Sequence, residues 1–258
     1  MVVGNDPKNI ETILQTEKLK KYFGEVKAVD HIDLKVNEGE FLSIIGPNGS
    51  GKTTLLNVIS NLIELDEGKV IFQGQDVTRW APSRLAKMGL VKSFQVVNLF
   101  ERMSVLENLK AAVISSLGIT HKAFSNLNKQ EEVDKKSAEL LELFKLSEKA
   151  DAWARDVPHG DRKVLDVALC FALDPKVILL DEPTSGVGAT EKTQVIQRIE
   201  DAVRKRGLTA VIVEHDMDVV FSYSDRVVAM DYGKILAQGK PEEVRDNPDV
   251  KKAIMGEF

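Results

Sequence analysis

The sequence has few of the features that mark secreted or membrane-spanning chains. It contains one cysteine, Cys170, so no internal disulfide can form. Cys170 lies in an apolar stretch, where we expect a buried, reduced thiol of the kind found in the cytosol. No apolar run reaches the about eighteen residues that a spanning helix needs. The start of the chain also lacks the basic segment and apolar core of a secretory signal.

Basic charge is not in excess either. Lys and Arg total 35 against 40 Asp and Glu, a formal net charge of −5, whereas nucleic-acid binding usually needs a basic surface. Hydrophobic and charged residues make up 43% and 29% of the chain, which is ordinary for a soluble globular protein. At 258 residues, without repeats or low-complexity tracts, the chain is long enough for one large domain or two small ones.

The most informative stretch is residues 46–53, Gly-Pro-Asn-Gly-Ser-Gly-Lys-Thr. It fits the phosphate-binding pattern of Gly, four residues and Gly-Lys-Thr. It lies between an apolar run (41–45) that predicts a buried strand and a stretch of helical spacing (54–59). The glycines let backbone N–H groups face phosphate oxygens, Lys52 adds a point charge, and the Thr53 hydroxyl can ligate Mg²⁺. A chance glycine-rich turn is the alternative, which the flanking strand and helix disfavour. The predicted nucleotide-binding residues here are Gly46, Pro47, Asn48, Gly49, Ser50, Gly51, Lys52, Thr53 and Thr54.

The chain before and just after this loop is rich in strand patterns. The first forty residues read as short strands, among them the alternating stretch 32–36, followed by a turn at 37–40. A second turn is predicted at 66–68, with a strand at 69–72.

The rest of the chain divides into a helical middle and an alternating end. Helical patterns dominate from about 104 to 152, although residues 115–130 read as a loop or weak helix. Apolar runs at 177–180 and 209–213, separated by a helical pattern at 192–206, indicate a parallel sheet covered on both faces. Residues 227–237 read as a hairpin with its turn at 231–234. One predicted helix face in the middle consists of Val133, Ser137, Leu140, Leu141 and Phe144.

Three polar residues follow the apolar strands of this predicted sheet. Asp181 has the position of a Mg²⁺-site residue acting through bound water, and Glu182 is placed to polarise the water that attacks a γ-phosphate. His215 follows the next strand and could hydrogen-bond the same phosphate. Two acids can instead cap a helix, and a lone histidine is usually structural. The phosphate loop upstream favours the catalytic reading.

Four motifs, in the family's order, make this sequence resemble the ATP-binding subunit of an ABC transporter over nearly the whole chain. Residues 21–24, Lys-Tyr-Phe-Gly, resemble the aromatic loop, and 93–95, Ser-Phe-Gln, the glutamine loop. Residues 181–184 resemble the aspartate–glutamate motif, and 214–216 the histidine switch. The resemblance implies that the Tyr22 ring stacks on adenine.

The resemblance also implies a fold, a ligand set and partners. The fold is α/β: a P-loop NTPase core with a mostly parallel sheet between helices, an N-terminal antiparallel β subdomain and an α-helical signature subdomain (about 97–172), in one domain (1–258). The ligands are ATP and Mg²⁺. The partners are two integral-membrane permease subunits, a second ATPase subunit and, indirectly, an external solute-binding protein, but no nucleic acid. The protein would lie peripherally on the cytoplasmic face of the cell membrane. The implied catalytic residues are Lys52, Gln95, Glu182 and His215, and the implied metal-site residues are Thr53, Gln95 and Asp181.

Further segments narrow the resemblance. Residues 94–108 are similar to the segment that forms the groove for the permease's coupling helix. The polar stretch of the helical region, residues 214–218 and residues 247–250 resemble ATPases of branched-chain (hydrophobic) amino-acid uptake. Relatives for urea and short amides, and a lipopolysaccharide-export ATPase, share much of this pattern. A soluble ABC ATPase of DNA repair or translation is disfavoured by the single phosphate loop and the absence of sustained heptads. A kinase or GTPase would leave Gln95 and His215 without roles.

The sequence departs from the family at the signature, which usually reads Leu-Ser-Gly-Gly-Gln and binds ATP held by the opposite subunit. Residues 157–161 here read Val-Pro-His-Gly-Asp. Gly160 is kept, but Pro158 supplies neither a hydroxyl nor an N–H. Asp161 is expected to bring negative charge near a polyanion, which a protonated His159 could offset. Gly188 also replaces the aspartate of the dimer-interface loop. Either the subfamily has drifted with function retained, or a weakened site requires a different ATPase as partner.

Overall fold

The computed structural model of the chain describes residues 11–93, 99–118 and 127–255. The strands of this part are β1 (Thr12–Phe23), β2 (Val26–Asn37), β3 (Phe41–Ile45), β4 (Glu67–Phe72), β5 (Gln75–Asp76), β6 (Leu90–Lys92), β7 (Val177–Asp181), β8 (Thr209–Val213), β9 (Arg226–Asp231) and β10 (Lys234–Gly239). The α-helices are α1 (Lys52–Ile59), α2 (Pro82–Met88), α3 (Val105–Ser116), α4 (Leu127–Leu143), α5 (His159–Phe171), α6 (Ala189–Arg206), α7 (Met217–Tyr223), α8 (Pro241–Arg245) and α9 (Pro248–Val250). A 3-10 turn (Ser147–Lys149) and a π-helical turn (Lys251–Met255) complete the described elements.

The larger sheet has the strand order β10-β9-β3-β8-β7-β6, and only the β9–β10 hairpin within it is antiparallel. Every residue of β3, β7 and β8 is buried, because helices and a second sheet cover both faces. Alternate residues of one strand therefore enter different cores: Ile178 packs with the helices α3 to α6, and Val177 packs with α1 and the second sheet. The predicted parallel sheet and terminal hairpin are confirmed.

The second sheet is antiparallel, with the order β2-β1-β4-β5. The prediction of short strands was wrong here, because β1 and β2 each run for twelve residues. The turn predicted at 66–68 was also wrong in part, since β4 already begins at Glu67. Gly68 has a φ of 102°, and a Cβ there would lie 2.5 Å from the Glu17 carbonyl oxygen, where the β1–β4 register shifts. This glycine marks a bulge within a strand.

Helices α3, α4 and α5 form the helical region. A capping box begins α3: the Ser104 hydroxyl accepts from the Glu107 N–H at 3.1 Å, and the Glu107 carboxylate accepts from the Ser104 N–H at 2.7 Å. The ring of Phe144 meets that of Phe171 edge-on at 4.8 Å, which joins the end of α4 to α5. Of the predicted loop at 115–130, α3 includes the first two residues and α4 the last four, while 119–126 lie outside the described residues. The predicted face of α4 and its end is confirmed as buried throughout.

Two expectations about the whole chain can be compared with the fold. None of the helices in the described ranges combines the length and the apolar composition that crossing a bilayer requires. Cys170 is half-buried on α5, and burial raises the pKa of its thiol to about 12, so the thiol stays protonated at neutral pH.

Replacing Ser137 by alanine should stabilise the protein. The Ser137 hydroxyl is buried on the apolar face of α4 and, within the described structure, has no hydrogen-bond partner. A buried unpaired hydroxyl costs about 1–3 kcal/mol, and alanine is also the better helix former. We expect the free energy of unfolding, measured by urea denaturation, to rise by about 1 kcal/mol.

The matched control for this change is Ser60→Ala. The buried Ser60 hydroxyl donates to the Leu56 carbonyl oxygen at 2.8 Å, so its removal should lower the free energy of unfolding by about 1 kcal/mol. Equal destabilisation by both substitutions would contradict the interpretation of Ser137 as unpaired.

Candidate active site

The phosphate loop lies between β3 and α1, as predicted, and close packing fixes its shape. Gly51 precedes α1 with a φ of 100°, and a Cβ there would lie 1.9 Å from the Ala28 carbonyl oxygen. The Gly233 N–H donates to the Ser50 carbonyl oxygen at 3.0 Å, which ties the loop to the β9–β10 turn. No side chain caps the N-terminus of α1. The positive end of this helix is therefore available to an anion.

Lys52 is folded back onto the loop itself. Its buried ammonium donates to the carbonyl oxygens of Gly46 at 2.8 Å and Pro47 at 2.9 Å. Burial lowers the pKa of Lys52, and the nearby carboxylates of Glu182 and Asp181 oppose that shift. The two carbonyl oxygens thus hold the Lys52 ammonium within the loop, where phosphate oxygens could take their place as acceptors.

Asp181 ends β7 next to the loop and has a partner on each carboxylate oxygen. Its Oδ1 accepts from the Thr53 hydroxyl at 3.0 Å, and its Oδ2 lies 3.2 Å from the Lys92 ammonium. A carboxylate and a hydroxyl beside phosphate oxygens are the hard oxygen donors that Mg²⁺ prefers. The described ranges contain no cluster of three or more His, Cys, Asp or Glu that could hold a metal alone. The arrangement fits a Mg²⁺ ion that takes its other ligands from nucleotide and water.

Glu182 and His215 contact each other across the ends of neighbouring strands. The Nε2 atom of His215 lies 2.7 Å from Oε1 of Glu182. Glu182 has a φ of 51°, and its N–H donates to the carbonyl oxygen of Val213 at 3.0 Å, which holds the loop after β7 against β8. The two residues predicted to act on the γ-phosphate and its water are therefore together at the carboxyl edge of the sheet.

Glu214 lies next to His215 in the sequence and connects the segments that carry Glu182 and His215. It is buried, and one carboxylate oxygen accepts from both the N–H of Thr184 at 3.0 Å and its hydroxyl at 2.8 Å. Burial raises the pKa of Glu214, while the hydrogen bonds from Thr184 act in the opposite direction. The carboxylate joins the loop that carries Glu182 to the strand end that carries His215.

The aromatic loop presents two different rings. The Tyr22 hydroxyl donates to Asp30 at 2.6 Å, and the ammonium of Lys20 lies 4.8 Å from the Tyr22 ring centroid. Hydrogen bonds from Tyr22 and His31 lower the pKa of Asp30 to about 2. Phe23, by contrast, is 50% exposed. The Tyr22 hydroxyl already has a polar partner, whereas Phe23 has no hydroxyl and is more exposed, with the Lys21 ammonium 5.4 Å from its ring centroid.

The altered signature lies at the start of α5. Pro158 is the N-cap residue, no side chain caps the helix, and Pro158 and His159 are exposed. Asp161, which we expected to bring negative charge near a polyanion, has a buried carboxylate that is paired within its own chain. It accepts from Arg198 at 2.7 Å and also pairs with Lys149. Burial alone would raise the pKa of Asp161, but these two cations hold it below its ordinary value.

The same helix contacts the loop of residues 185–189 in its own chain. The ammonium of Lys163 donates to the Ser185 hydroxyl at 3.1 Å. Nε2 of His159 lies 3.0 Å from where a Cβ on Gly186 would be. The signature segment and the loop after Glu182 therefore form one connected surface.

The structure brings together the predicted residues of the phosphate loop, Asp181, Glu182 and His215, whereas Gln95 lies outside the described residues. Sequence reasoning gave no role to Lys92, Glu214 or Phe23. The position of Glu214, a polar residue between an apolar strand and His215, was a signal that sequence reasoning could have used. No such signal existed for Lys92, because a lysine at the end of a short strand usually faces solvent.

A phosphate loop at a helix N-terminus, with acids and a histidine at the ends of adjacent parallel strands, defines a nucleotide-hydrolysing cassette. Comparison with known proteins agrees: a family model described as ABC transporter matches residues 29–185. A protein from Archaeoglobus fulgidus named "Probable branched-chain amino acid transport ATP-binding protein LivG" is 36% identical, over 95% of both chains. "High-affinity branched-chain amino acid transport ATP-binding protein LivG" from Escherichia coli K12 is 34% identical, over 96% of this chain and 99% of its own.

Solved structures match just as extensively. The ADP conformation of an ATP-binding cassette of an ABC transporter superposes with a TM-score of 0.81 at 35% identity, covering 96% of this chain and 100% of the other. A dimeric cassette in a post-hydrolysis state with ADP and Pi has a TM-score of 0.73 at 26% identity, covering 89% and 99%. The chain belongs to the ABC transporter family, and it is the ATP-hydrolysing subunit type of that family.

Replacing Asp161 by asparagine should destabilise the helical region in a pH-dependent way. The change removes the carboxylate that pairs with Arg198 and Lys149, and at neutral pH the free energy of unfolding should fall by about 2 kcal/mol. Because the folded-state pKa of Asp161 lies below its ordinary value of 3.8, the stabilisation is complete above that value and lost as pH falls through the lowered pKa. Urea denaturation at several pH values measures the difference in free energy of unfolding between wild type and Asp161→Asn.

The control for this prediction is Asp201→Asn, which breaks the exposed pair with Lys145 and should cost less than about 1 kcal/mol. A gap between wild type and Asp161→Asn that stays constant down to about pH 3 would show that Asp161 does not act through its charge.

Proposed function

We propose that this chain is one of the two ATPase subunits that energise an importer of branched-chain or other hydrophobic amino acids. The nearly full-length match to branched-chain amino acid transport ATP-binding proteins carries this proposal. The chain would act as a single domain on the cytoplasmic face of the membrane, held there by two permease subunits. Cargo specificity would reside in the permease and an external binding protein.

Hydrolysis in this proposal exchanges partners within the site. Phosphate oxygens replace the carbonyls of Gly46 and Pro47 around the Lys52 ammonium. His215 leaves Glu182 and donates to the γ-phosphate. The freed Glu182 carboxylate then orients a water molecule and accepts its proton as the water oxygen attacks phosphorus and the bond to the ADP oxygen breaks. The chain's contribution is positioning and charge, with no covalent intermediate.

Thr53 and Asp181 would hold Mg²⁺, together with Gln95 by resemblance. The ion would neutralise charge on the β- and γ-phosphates.

Two copies of the chain would close on two ATP molecules. We infer that the altered signature still serves the opposite site. The start of α5 has no side-chain cap, and the Asp161 charge is neutralised within its own subunit. Backbone N–H groups and His159 would then meet the γ-phosphate in place of the missing serine hydroxyl. This favours a homodimer over an obligatory different ATPase partner.

The Glu182→Gln variant tests the homodimer. It keeps the size of the side chain but removes the carboxylate, so it should bind ATP, hardly hydrolyse it and remain closed. Sedimentation with Mg-ATP should show a dimer, and without nucleotide a monomer. A species that binds ATP yet stays monomeric would refute the homodimer and point to a second ATPase with an intact signature.

Adenine stacking can be assigned with two matched variants. We propose that the exposed Phe23 ring, not Tyr22, stacks on adenine, because the Tyr22 hydroxyl is already bonded to Asp30. Phe23→Ala should weaken ATP binding about tenfold and leave tripolyphosphate binding unchanged. Tyr22→Ala should weaken ATP binding, relative to tripolyphosphate binding, less than Phe23→Ala does. A larger loss in Tyr22→Ala, measured by calorimetry, would restore the original assignment.

A surface for the permease's coupling helix is proposed around Phe100 and Trp153, which are 60% and 46% exposed. Two backbone hydrogen bonds join their segments: Val105 N–H to the Ala152 carbonyl oxygen at 3.0 Å, and Ala154 N–H to that of Met103 at 2.9 Å. Exposed aromatic rings on a backbone held in this way suit a helix that brings apolar side chains.

Uptake in cells tests the transport function and this surface together. Phe100→Ser/Trp153→Ser should abolish sedimentation with permease-containing membranes and uptake of labelled leucine. Leu236→Ser, which removes a 38% exposed apolar side chain elsewhere, should do neither.

Unchanged leucine uptake in cells whose only copy carries Glu182→Gln would contradict the proposed cargo. Urea and amide uptake measured in parallel would detect the alternative substrates.

A further inference from the structure

Lys92 is a buried lysine beside the nucleotide site. The proposed hydrolysis gives it no role. It ends β6, and its side chain is 7% exposed. Its ammonium lies 3.2 Å from Oδ2 of Asp181, whose side chain is fully buried, and donates to the Ser93 carbonyl oxygen at 3.3 Å. Long charged side chains are rarely buried unless paired, so this placement needs a physical reason.

The reason lies in the charge of Asp181. A fully buried carboxylate with only hydroxyl and amide partners would have no cation in direct contact, which is unfavourable. Its other oxygen accepts from Thr53, and its N–H contacts the Ser93 hydroxyl at 3.4 Å. The Lys52 ammonium lies near Asp181, but Lys92 contacts the carboxylate directly and fixes which oxygen faces the phosphate loop.

We propose that Lys92 is a positioning residue of the nucleotide site, which holds Asp181 toward Thr53 and offsets its charge while no metal is bound. Lys92 would thereby permit ATP to approach without Mg²⁺ and would moderate the dependence of binding on the ion. The inference rests on the proposed Mg-ATP site and names the residue that prepares it.

Calorimetric titration of the full chain with ATP, in excess Mg²⁺ and in EDTA, tests this role. In Lys92→Met the uncompensated Asp181 should repel the polyphosphate, so the Kd in EDTA should rise about tenfold or more, while the Kd in Mg²⁺ changes much less. Lys92→Arg keeps the charge and should resemble wild type. Equal changes of both Kd values in Lys92→Met would overturn the proposal.

The Asp181→Asn background shows whether the effect passes through Asp181. With no carboxylate to offset, adding Lys92→Met should leave the Kd in EDTA within about twofold. A tenfold loss in this background as well would mean that Lys92 acts on the phosphates directly, which contradicts a positioning role.

Folding provides the outcome if Lys92→Met cannot be purified. Lys92→Met/Asp181→Asn removes both charges, so the proposal predicts that the double variant folds and can be purified. A double variant that also fails to fold would show that Lys92 is needed for packing and overturn the proposal. The wild-type titration separates the two hypotheses: wild type that binds no ATP even with Mg²⁺ would refute the proposed site itself.

Discussion

The pairing of charged and polar groups at the carboxyl edge of the parallel sheet is the constraint on which the rest of the structure depends. Each ionised group there has a partner within the chain: Lys52 has loop carbonyls, Asp181 has Thr53 and Lys92, and Glu182 has His215. Charges this close to a low-dielectric core are costly when unpaired. Internal partners therefore preserve the geometry of the site in the absence of nucleotide.

The two sheets and the helical region keep these partners in place. The antiparallel sheet packs over α1 and supports the phosphate loop through Ala28, while the buried strands β3, β7 and β8 bring the polar residues to one edge. Charge pairing also occurs away from this edge, where Arg198 of α6 and Lys149 neutralise Asp161 in the helical region. Because Asp161 is paired in this way, its charge is offset within the helical region and α6.

Motifs with a fixed spacing were predictable from the sequence because their geometry is local. The strand, loop and helix around Lys52 were predicted correctly, and so was the sequence position of Asp181 at a strand end. The pairing of Lys92 with Asp181 was not, because it joins residues eighty-nine positions apart whose contact exists only after β6 lies beside β7. The same holds for Asp161: its sequence position suggests a surface charge, and only the packing of α5 against α6 brings Arg198 to it. The length of β1 was missed because the bulge opposite Gly68 interrupts its alternation.

Histidine ring ¹⁵N spectra test the central claim, the exchange of partners at the sheet edge, most directly. The chain has four histidines, and the His215→Gln variant identifies the His215 signals. The account predicts that saturating Mg²⁺ with a non-hydrolysable ATP analogue moves these signals as His215 leaves Glu182 for the γ-phosphate. Mg-ADP, which lacks that phosphate, should leave them near their nucleotide-free positions. Equal shifts with both nucleotides, or none with either, would contradict the exchange.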